Sequence, residues 1–177
     1  DGVLNALDKA SGQLRGKLGE SLASIQQFNR PLAQATTSSL EALKDMTDAY
    51  QKGNNGDNLA SIALEKQAVA LDPNFAMAWR GMSIASGNVG DNTASMAYIT
   101  KAFQLKDRTS EYERLQITAD YYMTMDQPEK ALAVFQSFTQ TYPRAAAAWT
   151  NMGGVLVSLG RLPEALHAFQ TALAFVP

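Results

Sequence analysis

Trp79 and Trp149 stand two periods of roughly 35 residues apart, and that interval constrains the chain more than any other feature. Each tryptophan follows an alanine and opens a stretch with helical spacing. Counting from Trp149, Met152 and Gly153 follow at +3 and +4, Leu156 at +7, Gly160 at +11, Ala165 at +16, Phe169 at +20, Ala172 at +23 and Pro177 at +28. Bulky residues at the first, fourth and eighth positions place an apolar stripe on one helix. Gly153 and Ala165 are small where two backbones must approach closely, and Gly160 supplies a turn. Phe169 and Ala172 form the stripe of a second, antiparallel helix that Pro177 ends, because proline cannot continue a helix and restricts the residue before it. One helix pair cannot bury its apolar faces alone, so a chain built this way must stack its units.

The same frame fits three further units, each altered in its own way. Around Trp79 it reads Met82, Ser83, Ser86, Gly90, Ser95, Ile99, Ala102 and Asp107, so the close-approach glycine and the final proline are both replaced. A third unit reads Leu115, Thr118, Ala119, Tyr122, Asp126, Ala131, Phe135, Phe138 and Pro143; the bulk of Phe138 is expected to widen or tilt the local packing. The first unit is the most divergent, and its turn, Gly53-Asn54-Asn55-Gly56-Asp57-Asn58, is expected to be about two residues longer than the others. The terminal markers Pro73, Asp107, Pro143 and Pro177 recur at intervals of 34, 36 and 34, which places a two-residue insertion at 107–111. Ser38 with Glu41, Ser110 with Glu113, and Asp126 with Glu129 have the spacing of reciprocal helix N-caps.

The series Trp, Gly, Leu, Gly, Ala, Phe, Ala and Pro at these offsets resembles the tetratricopeptide repeat. The resemblance implies an all-α, right-handed α-solenoid of about four helix-turn-helix pairs, with units at about 38–74, 75–109, 110–144 and 145–177 and further repeats expected beyond 177. Glu65 departs from it, standing where the family prefers an aromatic. Residues 1–37 lie outside the repeats. Leu4, Leu7, Ser11, Leu14, Leu18, Leu22, Ile25 and Phe28 recur every three or four residues, which predicts a long N-terminal amphipathic helix ending before Arg30-Pro31. Its leucine stripe is expected to pack on the first repeat as a cap; a partner or dimer helix is the competing expectation. Residues 16–43 also resemble the junction in large bacterial signalling proteins, where a serine/threonine kinase or winged-helix domain, often with a membrane span, precedes a tetratricopeptide tail. That resemblance implies a signal-transduction context and, where a span precedes, an extracytoplasmic location.

Composition excludes several classes of chemistry. The formal net charge is −2, leaving no basic surplus to neutralise phosphates, which argues against nucleic-acid binding. The absence of cysteine rules out disulfides and thiolate chemistry. No uninterrupted apolar stretch is longer than Ala145–Trp149, so nothing in the sequence reads as a bilayer span. The segment Gly12–Lys17 is one residue short of a phosphate loop, and Asn54, Asn55, Asp57 and Asn58 lack the alternation of a calcium loop. His167, the single imidazole, falls off the core stripe. Asp120, Tyr121 and Tyr122 suggest acid–base work only weakly. No catalytic constellation, cofactor or metal site is implied.

What remains is binding. First helices of stacked pairs line a concave groove, and the frame assigns to it Lys44 and Asp48, then Met77, Arg80, Ile84 and Asn88, then Glu113, Gln116, Asp120 and Met123, then Thr150 and Val157. The resemblance to tetratricopeptide proteins that clamp a chaperone's terminal carboxylate fails here. The equivalent sites carry Lys44 but also Asp48, Gly81, Glu113 and Ile117. A peptide with basic and apolar residues is the expected ligand, in a protein-interaction module. The alternative is a spacer or self-association array, joined through the apolar C-terminal end containing Phe169, Leu173 and Phe175.

Overall fold

The structure, a computed structural model, describes residues 2–17 and 37–175. Its elements are helices α1 (Gly2–Lys17), α2 (Leu40–Asn54), α3 (Asn58–Leu71), α4 (Ala76–Asn88), α5 (Asn92–Leu105), α6 (Glu111–Thr124), α7 (Pro128–Thr141), α8 (Ala146–Ser158) and α9 (Leu162–Leu173), with a 3-10 turn at Lys106–Arg108. No strand occurs among the described residues. The chain divides into two compact units, residues 30–117 and residues 1–29 together with 118–177. In the first, α2 packs on α3, α3 on α4 and α4 on α5; in the second, α7 packs on α8 and α8 on α9.

The turns that join paired helices share one geometry. Gly56, Gly90, Asp126 and Gly160 have φ of 82°, 83°, 53° and 71°, the left-handed conformation that ends a helix. In each turn the N–H of the next residue reaches back to a carbonyl near the end of the first helix: Asp57 to Lys52 O, Asp91 to Ser86 O, Gln127 to Tyr122 O and Arg161 to Leu156 O, at 2.8–2.9 Å. The left-handed residues recur at intervals of 34, 36 and 34, matching the terminal markers. The first turn is therefore not longer than the others, contrary to expectation. Gly53 and Asn54 belong to the last turn of α2, because helix propensity is a weak prior and the left-handed glycine that stops the helix is Gly56. The two-residue insertion falls where the 3-10 turn Lys106–Arg108 follows α5.

Asp126 is the one non-glycine residue in the left-handed region among those described. A Cβ there costs about 1 kcal/mol relative to glycine. Asp126→Gly is expected to raise unfolding free energy by about that amount in urea titrations; an unchanged or lower midpoint would show that the aspartate compensates for its conformation.

Helix starts divide into met and unmet expectations. Ser110 and Glu113 form the full reciprocal cap: Ser110 N–H donates to Glu113 Oε2 at 2.9 Å and Glu113 N–H to Ser110 Oγ at 3.3 Å. At α2 the cap is Ser39, not Ser38, and its Oγ accepts from Ala42 N–H. Thr37 sets that register by accepting from Ser39 N–H and donating to Asp72 Oδ2 at 2.7 Å, which ties the start of α2 to the end of α3. At α7 the expected Asp126–Glu129 cap does not form: Gln127 is the cap residue, with no side-chain bond to the helix amides, because Asp126 is consumed by the preceding turn. Asp57 and Asp91 cap α3 and α5 instead.

The tryptophans are not the deepest core residues. Both indoles are half-buried, and each donates its Nε1–H to the carbonyl of a preceding proline, Trp79 to Pro73 at 2.9 Å and Trp149 to Pro143 at 2.8 Å. An indole with a polar handle suits that boundary position. The fully enclosed side chains include Tyr142, Phe75, Met82, Ile99 and Val155. Gly153 is small for a reason other than close backbones: a Cβ there would come within 2.5 Å of the Phe169 ring. At the matching position Ser83 donates to Ser95 O at 2.9 Å, so its buried hydroxyl is satisfied. Phe138 is buried edge-on against Tyr142, with ring centroids 5.7 Å apart.

Of the predicted N-terminal amphipathic helix, Gly2–Lys17 is helical and residues 18–36 lie outside the described residues. Leu14, assigned to the packed stripe, is 57% exposed, so the stripe is not buried at that position. Gly12–Lys17 is helical, without the strand-to-helix context of a phosphate loop.

Candidate functional site

Helical periodicity puts Met77, Arg80, Gly81, Ile84 and Asn88 on one face of α4, at offsets that recur every three or four residues. On α2 the same rule aligns Met46, Tyr50 and Gly53. The two faces enclose a pocket of about 180 Å³, to which α3 contributes Asn58, Ser61 and Glu65. Met46, Met77, Ile84 and Tyr50 supply apolar walls, and Tyr50 and Ile84 are 68% and 43% exposed. The rim is held by Asn88, whose Nδ2–H donates to Asn58 Oδ1 at 3.0 Å.

Glu65 is the chemically unusual residue of this pocket. Its place in the repeat is taken by Ile99, Phe135 and Phe169 in the three units that follow, all of them apolar. In this unit a carboxyl group occupies it, only 5% exposed. Gly81 makes the space: a Cβ at 81 would collide with Glu65 Oε1. Oε2 has no hydrogen-bond partner among the described residues. Burial pushes the carboxyl up to about 8, with the Arg80 charge opposing the shift. The same Arg80 charge acts on Tyr112 of α6, whose phenol burial also pushes up.

Four of the twelve groove residues named from sequence, Met77, Arg80, Ile84 and Asn88, line this pocket. Lys44 and Asp48 do not; they pair with each other at 3.0 Å, and that bond holds the Lys44 ammonium above its usual range. Glu113 is engaged in the cap of α6, and Gln116 is half-buried on that helix outside the pocket. Asp120, Met123, Thr150 and Val157 belong to the other unit. There Asp120 is half-buried, Thr150 donates back to Ala146 O, and Met123 and Val157 are 40% and 48% exposed. Sequence reasoning missed Met46, Tyr50 and Glu65 as pocket residues. A carboxylate at a position that favours an aromatic was the available signal. His167 is exposed on α9. Among the described residues no helix is long and apolar enough to cross a membrane.

Helix-turn-helix segments that repeat the same turn at intervals of 34, 36 and 34 residues, with the same indole bond in the two units that carry a tryptophan, define a helical-repeat protein. Residues 118–177 match the family model described as tetratricopeptide repeat. Over those residues the chain carries tetratricopeptide repeats. Solved structures carry the likeness over most of its length. TTC0263, a tetratricopeptide protein of Thermus thermophilus, superimposes with a TM-score of 0.62 at 17% identity, covering 76% of this chain and 74% of its own. MamA of Desulfovibrio magneticus RS-1 gives 0.52 at 18%, covering 78% and 77%. YrrB, described as a tetratricopeptide protein with an unusual peptide-binding site, gives 0.50 at 19%, covering 77% and 69%. At these identities the likeness is one of fold. No curated protein sequence matches the chain.

Proposed function

We propose that the chain is a protein-interaction module and not an enzyme, and that residues 30–117 capture an extended or helical peptide segment of a partner. The observation that carries this is the pocket between α2 and α4, where the exposed apolar walls Tyr50 and Ile84 stand beside polar rim residues on preformed helices. Rigid helices lower the ordering cost of capture, and apolar walls with a few placed polar groups are what a binding site needs. The peptide-binding site ascribed to YrrB, on the same fold, supports the reading. Asp120, Met123, Thr150 and Val157 are further groove candidates in the other unit. The resemblance of residues 16–43 supports a place within a larger bacterial signalling or regulatory protein. Fluorescence anisotropy with short labelled peptides of mixed basic and apolar composition tests the capture. Ile84→Asp is expected to weaken binding roughly tenfold or more with helicity intact by circular dichroism, and an unchanged affinity would remove the pocket from recognition.

A second reading rests on α9. Leu162, Leu166 and Leu173 are 60%, 59% and 71% exposed, and their spacing places them on one side of the helix. A row of exposed leucines on one helix face is a self-association surface. Sedimentation equilibrium would show concentration-dependent assembly abolished by Leu166→Lys; a monomer at every concentration eliminates this reading.

A further inference from the structure

We propose that the pocket between α2 and α4 is a lysine-specific subsite, in which the peptide's ammonium group pairs with Glu65 at the pocket floor and its methylene stem lies along Met46, Met77 and Ile84. The inference rests on the capture reading above and names what the pocket selects.

Three observations converge on that side chain. A carboxyl lines the pocket at a position where the other repeats carry the apolar Ile99, Phe135 and Phe169. That acid is only 5% exposed and Oε2 has no partner, a costly arrangement that a charge-assisted hydrogen bond from a ligand would relieve. The walls above it are aliphatic or thioether, fitting a long methylene stem whose charge is at its end, and methionines adapt to an inserted chain. Arginine is the poorer fit. Its planar fork needs both carboxylate oxygens, and Oε1 is turned into the space left by the missing side chain at Gly81, whereas an ammonium needs only one oxygen.

The electrostatics give the subsite a pH dependence. The titratable groups lining the pocket besides Glu65 are Tyr50 from α2 and Arg80 from α4, and α3 adds no other. Tyr112 of α6 lies near enough to feel the same Arg80 charge. In the empty pocket the carboxyl holds its proton up to about pH 8, so a lysine must bind with release of that proton. Affinity therefore rises as pH approaches that value from below and levels off above it, by on the order of tenfold per unit between pH 6 and 8.

The test uses the full chain and four capped pentapeptides, identical except for the central residue between leucines: lysine, norleucine, acetyl-lysine or arginine. Isothermal titration across pH 6 to 9 is expected to rank lysine first, with the pH slope present for lysine and absent for norleucine and acetyl-lysine. Glu65→Gln should abolish the slope and equalise lysine with norleucine. Gly81→Ala, which pushes the carboxyl aside, should reduce lysine affinity with helicity intact. If norleucine binds as well as lysine at every pH and Ile84→Asp still weakens both, the lysine assignment is overturned while peptide capture stands. If none of the peptides binds, or Ile84→Asp changes nothing, both fall together. An arginine preference would likewise overturn the ammonium assignment.

Discussion

Between pH 6 and 8 the protein is expected to lose stability steeply, and Glu65→Gln to remove most of that loss. The cause is the burial of one carboxyl. In the unfolded chain a glutamate gives up its proton near the ordinary value of 4.5, whereas in the folded chain burial holds the Glu65 carboxyl protonated to about 8. Between those two values the folded state keeps a proton that the unfolded state has released, so raising the pH favours unfolding. The contribution is fully present below about 4.5, declines by up to ~1.4 kcal/mol per pH unit through the window, and is gone above about 8. The total is on the order of 3–5 kcal/mol, a large share of a small domain's stability. The interval from 6 to 8 isolates the effect, because the chain contains no cysteine and one histidine, His167, which is exposed. Urea midpoints measured at half-unit steps should slope downward for the parent chain and lie nearly flat for Glu65→Gln. Glu65→Leu, which fills the space with apolar volume, should exceed the parent at pH 8. Parallel slopes for parent and Glu65→Gln would mean that the carboxyl is solvated and ionised in the folded state.

The periodic features were legible because they are backbone requirements that only a few residue types meet. Gly90 and Gly160 are left-handed turn residues, and each tryptophan is tied to the proline that the interval had marked. Where the signal was compositional it misled. The polar run Gly53–Asn58 reads as a long turn, yet three of its residues are accommodated as helix end and helix start, and the left-handed Gly56 alone sets the boundary. Asp126 and Glu129 have a capping spacing, but a residue already committed to a turn cannot also cap. The site was half-visible for a related reason. Helical offsets place Met77, Arg80, Ile84 and Asn88 on one face whatever they do. Whether Lys44 faces a ligand or Asp48, and whether Glu113 faces a groove or its own helix start, depends on side-chain pairings that spacing cannot rank. Glu65 became a pocket residue only through Gly81, on the next helix pair, which no offset within its own repeat reveals.

Phe75→Ala is expected to cost about 3–5 kcal/mol, more than the loss of nearby Trp79, although the repeat pattern makes the tryptophan the conspicuous residue. The Phe75 ring is fully enclosed, and the other buried members of its cluster are Ala42, Ala68 and Ala78. Alanines have no side-chain length with which to collapse into the void, so only the partly buried side chains at its edge, Leu43, Met46, Val69 and Met77, can relax into it, and the cost stays within that range. Trp79 is half-buried, tilted against Tyr98 at 6.0 Å, and its distinctive contribution is one hydrogen bond to Pro73 O. Removing it should cost about 2 kcal/mol from partial burial and that bond. Urea denaturation of both variants gives the order directly, and a larger loss for Trp79→Ala would place the core of this repeat at the indole. The ring also has a functional consequence. Met46 and Met77, two walls of the pocket, pack against the Phe75 cluster, so the flexible thioethers are the side chains free to lean into the void. Phe75→Ala should therefore weaken peptide capture even where the protein remains folded, whereas Trp79→Phe, which keeps a ring in place and lies outside the pocket lining, should leave it unchanged.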